Sequence, residues 1–311
     1  MTNKLIPSPA NLCSRFAEKM ISVKITSKCN GRCAFCIDNG GYKFDESNVD
    51  VFKLAKIIRD LDDFQTVIIT GGEPSLELDR TLDLVRLIRL YKKRIVLNTN
   101  GTLFNVCDDP AKTLDRLIDE LQISIHTPDE TANRETFRLG PCSIFKSVAS
   151  FDRIRAKLYR YPVSYHFTTS VNCCFTNAAM DYEKRRPDGK PFVQAMIDLC
   201  EYLGANRLRL TELKRVPDDQ YVRADDFEIP WLMPKTDEEL ITRGCTDFAK
   251  VGNVTVSVKR VCKYARGADA KAFSCCFVDR DGQDKIEGIE RVDSTFRVVY
   301  GDGTVTTDWI F

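Results

Sequence analysis

The sequence predicts an α/β fold: a partial (β/α)6 barrel followed by a small C-terminal α+β domain. Between Ile21 and about Leu213, short β-branched runs alternate with longer amphipathic stretches, the pattern of βα units repeated around a parallel sheet. Six strand candidates with five intervening helix candidates suit an incomplete barrel better than a closed eightfold one. After Leu213 the alternation stops, and two prolines flank a tryptophan in IPWLMP (229–234).

Residues 1–20 are read as an N-terminal extension, 21–225 as the barrel and 226–311 as the C-terminal domain. The expected strands are ISVKIT (21–26), QTVIIT (65–70), RIVLNT (94–99), LQISIH (121–126), VSYHFTTSV (163–171) and NRLRLTEL (206–213). Helices are expected near 48–61, 77–92, 110–119, 141–158 and 189–203. Beyond them, VTVSVKRV (254–261) reads as a strand, and RVDSTFRVVY and TVTTDWI pair around the turn Gly301-Asp302-Gly303. In parallel α/β folds ligands sit at the carboxyl ends of strands, so the segments that follow each strand are where chemistry is expected.

Composition excludes several function classes. Lys plus Arg number 46 and Asp plus Glu 45, a net charge of +1, so no global field recruits long nucleic acid and an anionic ligand needs a local pocket. The start, MTNKLIPSPANLCSRFAEKM, has no signal-like apolar core and no run suits a bilayer, so a soluble, cytoplasmic protein without a membrane partner is expected. Thirteen cysteines in such a protein point to metal binding, catalysis or burial rather than disulfides.

Just past the first strand, SKCNGRCAFCIDNGG places Cys29, Cys33 and Cys36 at CxxxCxxC spacing. Three thiolates on one loop can hold three irons of a [4Fe–4S] cube and leave the fourth open. Taken alone, the triplet equally suits structural zinc with a fourth ligand, or buried free thiols. It does not stand alone, because aromatic Phe35 precedes the third cysteine and the second strand ends in Thr70-Gly71-Gly72-Glu73-Pro74.

Together these motifs resemble the radical S-adenosylmethionine (SAM) superfamily over residues 20–215, and TGGEP, Asn98-Thr99-Asn100-Gly101, Ser124-Ile125-His126 and the cysteine-bearing C-terminal region are most similar to the branch containing the molybdenum-cofactor GTP cyclase. The resemblance implies a [4Fe–4S] cluster and SAM as cofactors, an external donor such as flavodoxin or ferredoxin, and reductive cleavage of SAM to a 5′-deoxyadenosyl radical. It further implies that Gly71, Gly72, Glu73 and Pro74 hold the methionine amino group, that Thr99, Asn100 and Ser124 meet the ribose and carboxylate, and that Leu213 lies beside adenine. Polar strand ends can equally cap the next helix, and Leu213 can equally be core. Of the two histidines, His126 at the end of the fourth strand is the better catalytic candidate, whereas His166 lies within the fifth. Arg207, Arg209, Glu212, Tyr165 and Asn172 are further candidates to line the pocket, their direction left open.

Cys245, Cys262, Cys275 and Cys276 fall in the last 70 residues at C-x16-C-x12-C-C spacing, and Cys245, Cys262 and one or both of Cys275 and Cys276 are expected to bind a second cluster. Buried thiols, or a single cysteine donating hydrogen to a substrate radical, are the alternatives. Cys13, Cys107, Cys142, Cys173, Cys174 and Cys200 lack partner spacing and are read as structural. GTP cyclisation is disfavoured, because Ile68 and Ser22 stand where the cyclase carries arginines, and the chain ends Asp308-Trp309-Ile310-Phe311 instead of Gly-Gly. With about 20 residues before the first strand, a peptide-recognition domain of about 80 residues is not expected there, so modification of a leader-bearing peptide lacks that support. The expected substrate is a small polar metabolite, with a peptide maturase and a non-catalytic iron–sulfur or zinc protein as alternatives.

Overall fold

The computed structural model describes residues 19–36, 41–107, 109–138, 166–213, 221–235, 246–260 and 296–306. The strands are β1 (Met20–Lys24), β2 (Thr66–Thr70), β3 (Arg94–Thr99), β4 (Glu120–Ser124), β5 (Thr168–Phe175), β6 (Arg207–Glu212), β7 (Thr246–Val251), β8 (Val254–Lys259), β9 (Phe296–Tyr300) and β10 (Val305–Thr306). They form one sheet in the order β10-β9-β1-β2-β3-β4-β5-β6-β8-β7. Strands β1 to β6 are parallel neighbours in chain order, the arrangement of a partial barrel. The C-terminal strands flank them: β8 lies parallel to β6 and β9 parallel to β1, while β7 and β10 close each edge antiparallel.

The helices are α1 (Val51–Asp60), α2 (Leu78–Arg89), α3 (Leu103–Val106), α4 (Pro110–Leu114), α5 (Glu130–Phe137), α6 (Asn177–Arg185) and α7 (Phe192–Tyr202). Helix α1 starts where the Asp50 carboxylate accepts from the Phe52 and Lys53 amides at 2.9 and 3.1 Å, and it buries Leu54, Ala55 and Ile58. Helix α2 buries Leu82, Leu84, Val85 and Ile88. Their apolar faces pack with Ile21, Val23, Val67, Ile69, Ile95, Leu97, Leu121, Ile123, Val171, Leu208 and Leu210 in one core. The opposite, inner face of the sheet carries the alternate residues of each strand, and these are mostly polar, among them Ser22, Lys24, Thr66, Glu120, Gln122 and Ser170, all buried.

Strands β1 to β4 and β6 lie within a residue or two of expectation. Strand β5 starts later than expected, because the β-branched run that suggested 163–171 precedes a stretch in which Val171, Cys173 and Phe175 are the core-facing residues. The helix expected at 141–158 lies outside the described residues. Helices α5 and α6 were not expected: ETANRETF and NAAMDYEKR are too polar to show a clear stripe, and each is set by its cap. The Asp129 carboxylate accepts from Ala132 N at 2.8 Å, and the Thr176 hydroxyl from Ala179 N at 3.3 Å. Among the described residues, no helix is long and apolar enough to cross a membrane.

Candidate functional site

The cysteine loop leaves the carboxyl end of β1 and is tied to the loops after β2, β3 and β4. Gly72 N donates to Thr26 O, and Glu73 N to Lys28 O, each at 2.8 Å, so the two glycine-rich and cysteine-bearing loops run together as a short backbone ladder. The closeness explains the glycines. A Cβ at Gly72 would lie 2.0 Å from Lys28 O, and Gly71, at φ 152°, would bring one to 2.5 Å from Thr26 O.

Asn30, inside the first cysteine spacing, is the second tie. Its amide donates to Thr102 Oγ1 at 2.8 Å and its Oδ1 accepts from Asn100 Nδ2 at 2.9 Å. Thr102 in turn donates to Asn100 Oδ1 at 2.6 Å, closing a ring of three side chains between the cysteine loop and the end of β3. A third tie is Glu46, whose Oε1 accepts from Thr26 Oγ1 at 3.0 Å and Ser27 N at 2.6 Å while Arg80 holds Oε2 at 2.5 Å. Burial would raise the Glu46 pKa, but these donors hold it below the usual carboxylate range.

The fourth tie runs through α5. The Phe137 carbonyl at the end of that helix accepts from Arg32 N at 2.8 Å, and Cys33 Sγ points at the same oxygen at 4.0 Å. Phe35 stands edge-on to the His126 ring, centroids 5.0 Å apart, and His126 lies against Phe137 at 4.7 Å. His126 Nδ1 accepts from Cys174 N at 3.0 Å, which places the ring proton on Nε2. Burial drives the His126 pKa down to about 3, so the ring is neutral at physiological pH. His166 is exposed, near the amino end of β5, with Nδ1 3.1 Å from Asp115 Oδ1, away from the cysteine loop.

The three thiols sense one another. Burial, then Cys36, then Cys29 raise the Cys33 pKa to about 12, and Cys174 adds to this from β5. Gly31 N donates to Cys29 Sγ at 3.3 Å. Three sulfurs on one loop whose thiolate forms would repel one another, with a backbone N–H directed at Cys29 Sγ, suit the iron ions of a cluster, whose positive charge favours the thiolates. Among the described residues, no three Cys, His, Asp or Glu side chains are drawn in around a single ion. A cube takes one thiolate on each of three irons and so spreads its ligands.

Glu73 is fully buried and turned into the fold. Its oxygens accept from Asn100 N at 2.7 Å, Thr99 Oγ1 at 2.8 Å and Ser75 N at 3.0 Å, while burial raises its pKa. The carboxylate and Thr99 are therefore committed to joining the ends of β2 and β3, and Pro74 starts the 3-10 turn at Pro74–Glu77. Ser124 is partly exposed on the inner face, 3.4 Å from Asn98 Oδ1, and Leu213 is buried at the end of β6.

The pocket-lining candidates divide. Asn172, Arg207 and Arg209 lie on the inner face, in register with Ser124 and Gln122. Glu212 faces the other way, accepting from Tyr221 O–H at 2.7 Å and Ala224 N at 2.8 Å, so it anchors the chain beyond β6 instead of lining the pocket. Cys173 and Cys200 are core residues. Tyr165, Cys13, Cys142 and the second-cluster candidates Cys245, Cys262, Cys275 and Cys276 lie outside the described residues. Sequence reading missed Asn30, Thr102, Glu46, Arg80 and Cys174. Only Asn30 carried a signal, its place between two cysteines.

Residues 23–168 match the model of the radical SAM superfamily, whose cofactors are a [4Fe–4S] cluster and SAM. Among individual relatives, a probable GTP 3′,8-cyclase of Saccharolobus islandicus is 27% identical over 199 residues, covering 63% of this chain and 57% of that protein. The GTP 3′,8-cyclase of Pectobacterium atrosepticum is 27% identical over 202 residues, covering 60% and 58%. The chain thus matches little more than half the length of these relatives. In fold it is similar to SuiB of Streptococcus suis, solved bound to S-adenosylmethionine, with a TM-score of 0.58 at 13% identity over 93% of this chain and 60% of that one.

Proposed function

We propose that the protein is a radical SAM enzyme acting on a small polar metabolite, with Cys29, Cys33 and Cys36 as cluster ligands. The observation that carries this reading is the union of the cysteine loop with the Gly71–Glu73 and Asn100–Thr102 loops through Gly72, Glu73 and Asn30. A metal scaffold has no need of that second layer; a cofactor laid across cluster and strand ends does.

When bound, the cluster and SAM supply reductive cleavage of the sulfonium to methionine and a 5′-deoxyadenosyl radical that takes hydrogen from a substrate C–H. The chain's own residues do the positioning. Cys29, Cys33 and Cys36 would hold three irons of the cluster. The Gly71–Gly72 turn would receive the methionine end, and the inward Glu73 carboxylate keeps that turn in place through Ser75, Thr99 and Asn100. Ser124 is placed for the ribose. His126, neutral and wedged between Phe35 and Phe137, is a positioning residue that holds the loop against α5. The buried polar inner face receives the substrate and excludes water. The electron comes from an external donor of the flavodoxin or ferredoxin kind.

The test is anaerobic reconstitution with iron and sulfide, reduction, and chromatographic detection of 5′-deoxyadenosine from added SAM. Release of the nucleoside by the native chain and none by Cys33→Ala supports the reading. Equal release by both refutes it.

A further inference from the structure

The inner face is far more cationic than the chain as a whole. On the inward positions of the described strands stand Lys24, Arg94, Arg207, Arg209 and Lys259, and among those positions Glu120 is the one acidic residue. This asymmetry arises in a protein whose net charge is only +1.

Glu120 is completely buried at the start of β4. Its Oε1 accepts from Ser170 Oγ at 2.6 Å and Arg209 Nη2 at 2.8 Å, and its Oε2 from Arg207 Nη1 at 3.2 Å and from Arg94 Nη2. Four donors fill the lone-pair sites of a carboxylate, whereas each guanidinium carries about five N–H donors. Three guanidiniums thus converge on one carboxylate, and Asp119 also bears on Arg94. Arg94 and Arg209 have further contacts of their own. Arg207 is the most open of the three, its side chain 44% exposed, and Glu120 fixes its direction.

Position completes the argument. Arg207 is in register with Ser170 and Gln122, Arg209 with Asn172 and Ser124 itself, and Arg94 falls one layer below Glu120, so Arg207 and the Glu120 that orients it stand one and two side-chain layers below Ser124. That is about 7–13 Å at the rise of a strand, the span of a small metabolite.

Building on the function proposed above, we propose that Arg207, oriented by Glu120 and flanked by Arg209 and Arg94, binds an oxyanion group of the substrate, a phosphate or a carboxylate. The anchor holds the anionic end about one side-chain layer below Ser124 and directs the rest of the molecule toward the carboxyl ends of the strands. Glu120 acts here as a positioning residue, keeping the guanidiniums in one cluster against their mutual repulsion.

The experiment is calorimetric titration of the reconstituted, SAM-loaded full chain at low ionic strength with inorganic phosphate and, separately, with succinate. We expect one or both probes to bind, and Arg207→Gln to weaken that binding at least about tenfold at unchanged iron content, SAM affinity and melting temperature. Should Arg207→Gln lose its fold, Arg207→Lys, which keeps the charge but not the fork, is expected to show a smaller loss. Binding of neither probe, or equal binding by native and variant chains, overturns the inference. Deoxyadenosine release measured on the same preparation separates the two readings: if it persists while no oxyanion binds, only the anchor fails.

Discussion

At the residue scale, the site is a set of side chains whose roles are fixed by what they touch. Cys33→Ala removes one of three thiolates from a loop held at four places by other groups. The variant is expected to keep its circular dichroism and melting temperature and to lose all 5′-deoxyadenosine formation. Glu73 is a stronger case, because Glu73→Ala strands three donors at Ser75, Thr99 and Asn100 in a buried setting. Each unsatisfied group costs about 1–3 kcal/mol, so urea unfolding should show a loss of several kcal/mol together with weaker SAM binding. Unchanged stability with weaker SAM binding would instead assign the carboxylate to the ligand.

His126 makes a prediction in pH. Its folded pKa of about 3 lies below the ordinary 6.5, so the unfolded chain binds the proton first as pH falls. The stability that the neutral ring contributes is complete above about pH 6.5 and is lost progressively down to about pH 3. Between pH 7 and pH 5 this amounts to about 2 kcal/mol in the cluster-free chain. In urea titrations His126→Phe should flatten that slope; an identical slope in native and variant chains would show that the ring protonates in place.

At the scale of elements, the close approach of the β2 loop and the cysteine loop decides whether the site assembles. Gly72→Ala forces a methyl group onto Lys28 O, so the ladder through Gly72 N and Glu73 N has to open. The expected result is failure to retain iron after reconstitution while the apolar core, on the other face of the sheet, still folds cooperatively. Full iron retention would show that the loops are not coupled. Much of this level is legible in the sequence, since β-branched runs such as TVIIT and RIVLNT bury one face and place their endings at the carboxyl edge. The cysteine spacing and GGEP are legible for the same reason: few backbones need two glycines beside three thiols. What the sequence hides is tertiary. Asn30 and Glu46 look like ordinary loop residues until their partners at Thr102 and Arg80, 72 and 34 positions away, are in place. Strand β5 was displaced because cysteines and asparagine in VNCCF blur its alternation, and α5 and α6 owe their ends to caps more than to any apolar stripe.

At the scale of the molecule, one sheet divides two tasks. Its outer face and helices form the apolar core, while much of its inner face is polar and buried, among it Ser22, Lys24, Glu120 and Gln122, an arrangement that stability alone does not favour because polar groups out of water need partners. The C-terminal strands on both edges widen this inner surface by adding β8 beside β6 and β9 beside β1. A polar interior below strand ends that gather three thiols and two glycine-rich turns is suited to radical chemistry kept away from solvent.

The most direct test is anaerobic reconstitution of the full chain followed by dithionite and SAM, with iron per chain and 5′-deoxyadenosine measured together. The account predicts at least about four irons per chain and release of the nucleoside, both lost in Cys33→Ala. A chain that takes up zinc but neither iron nor SAM under these conditions would contradict it.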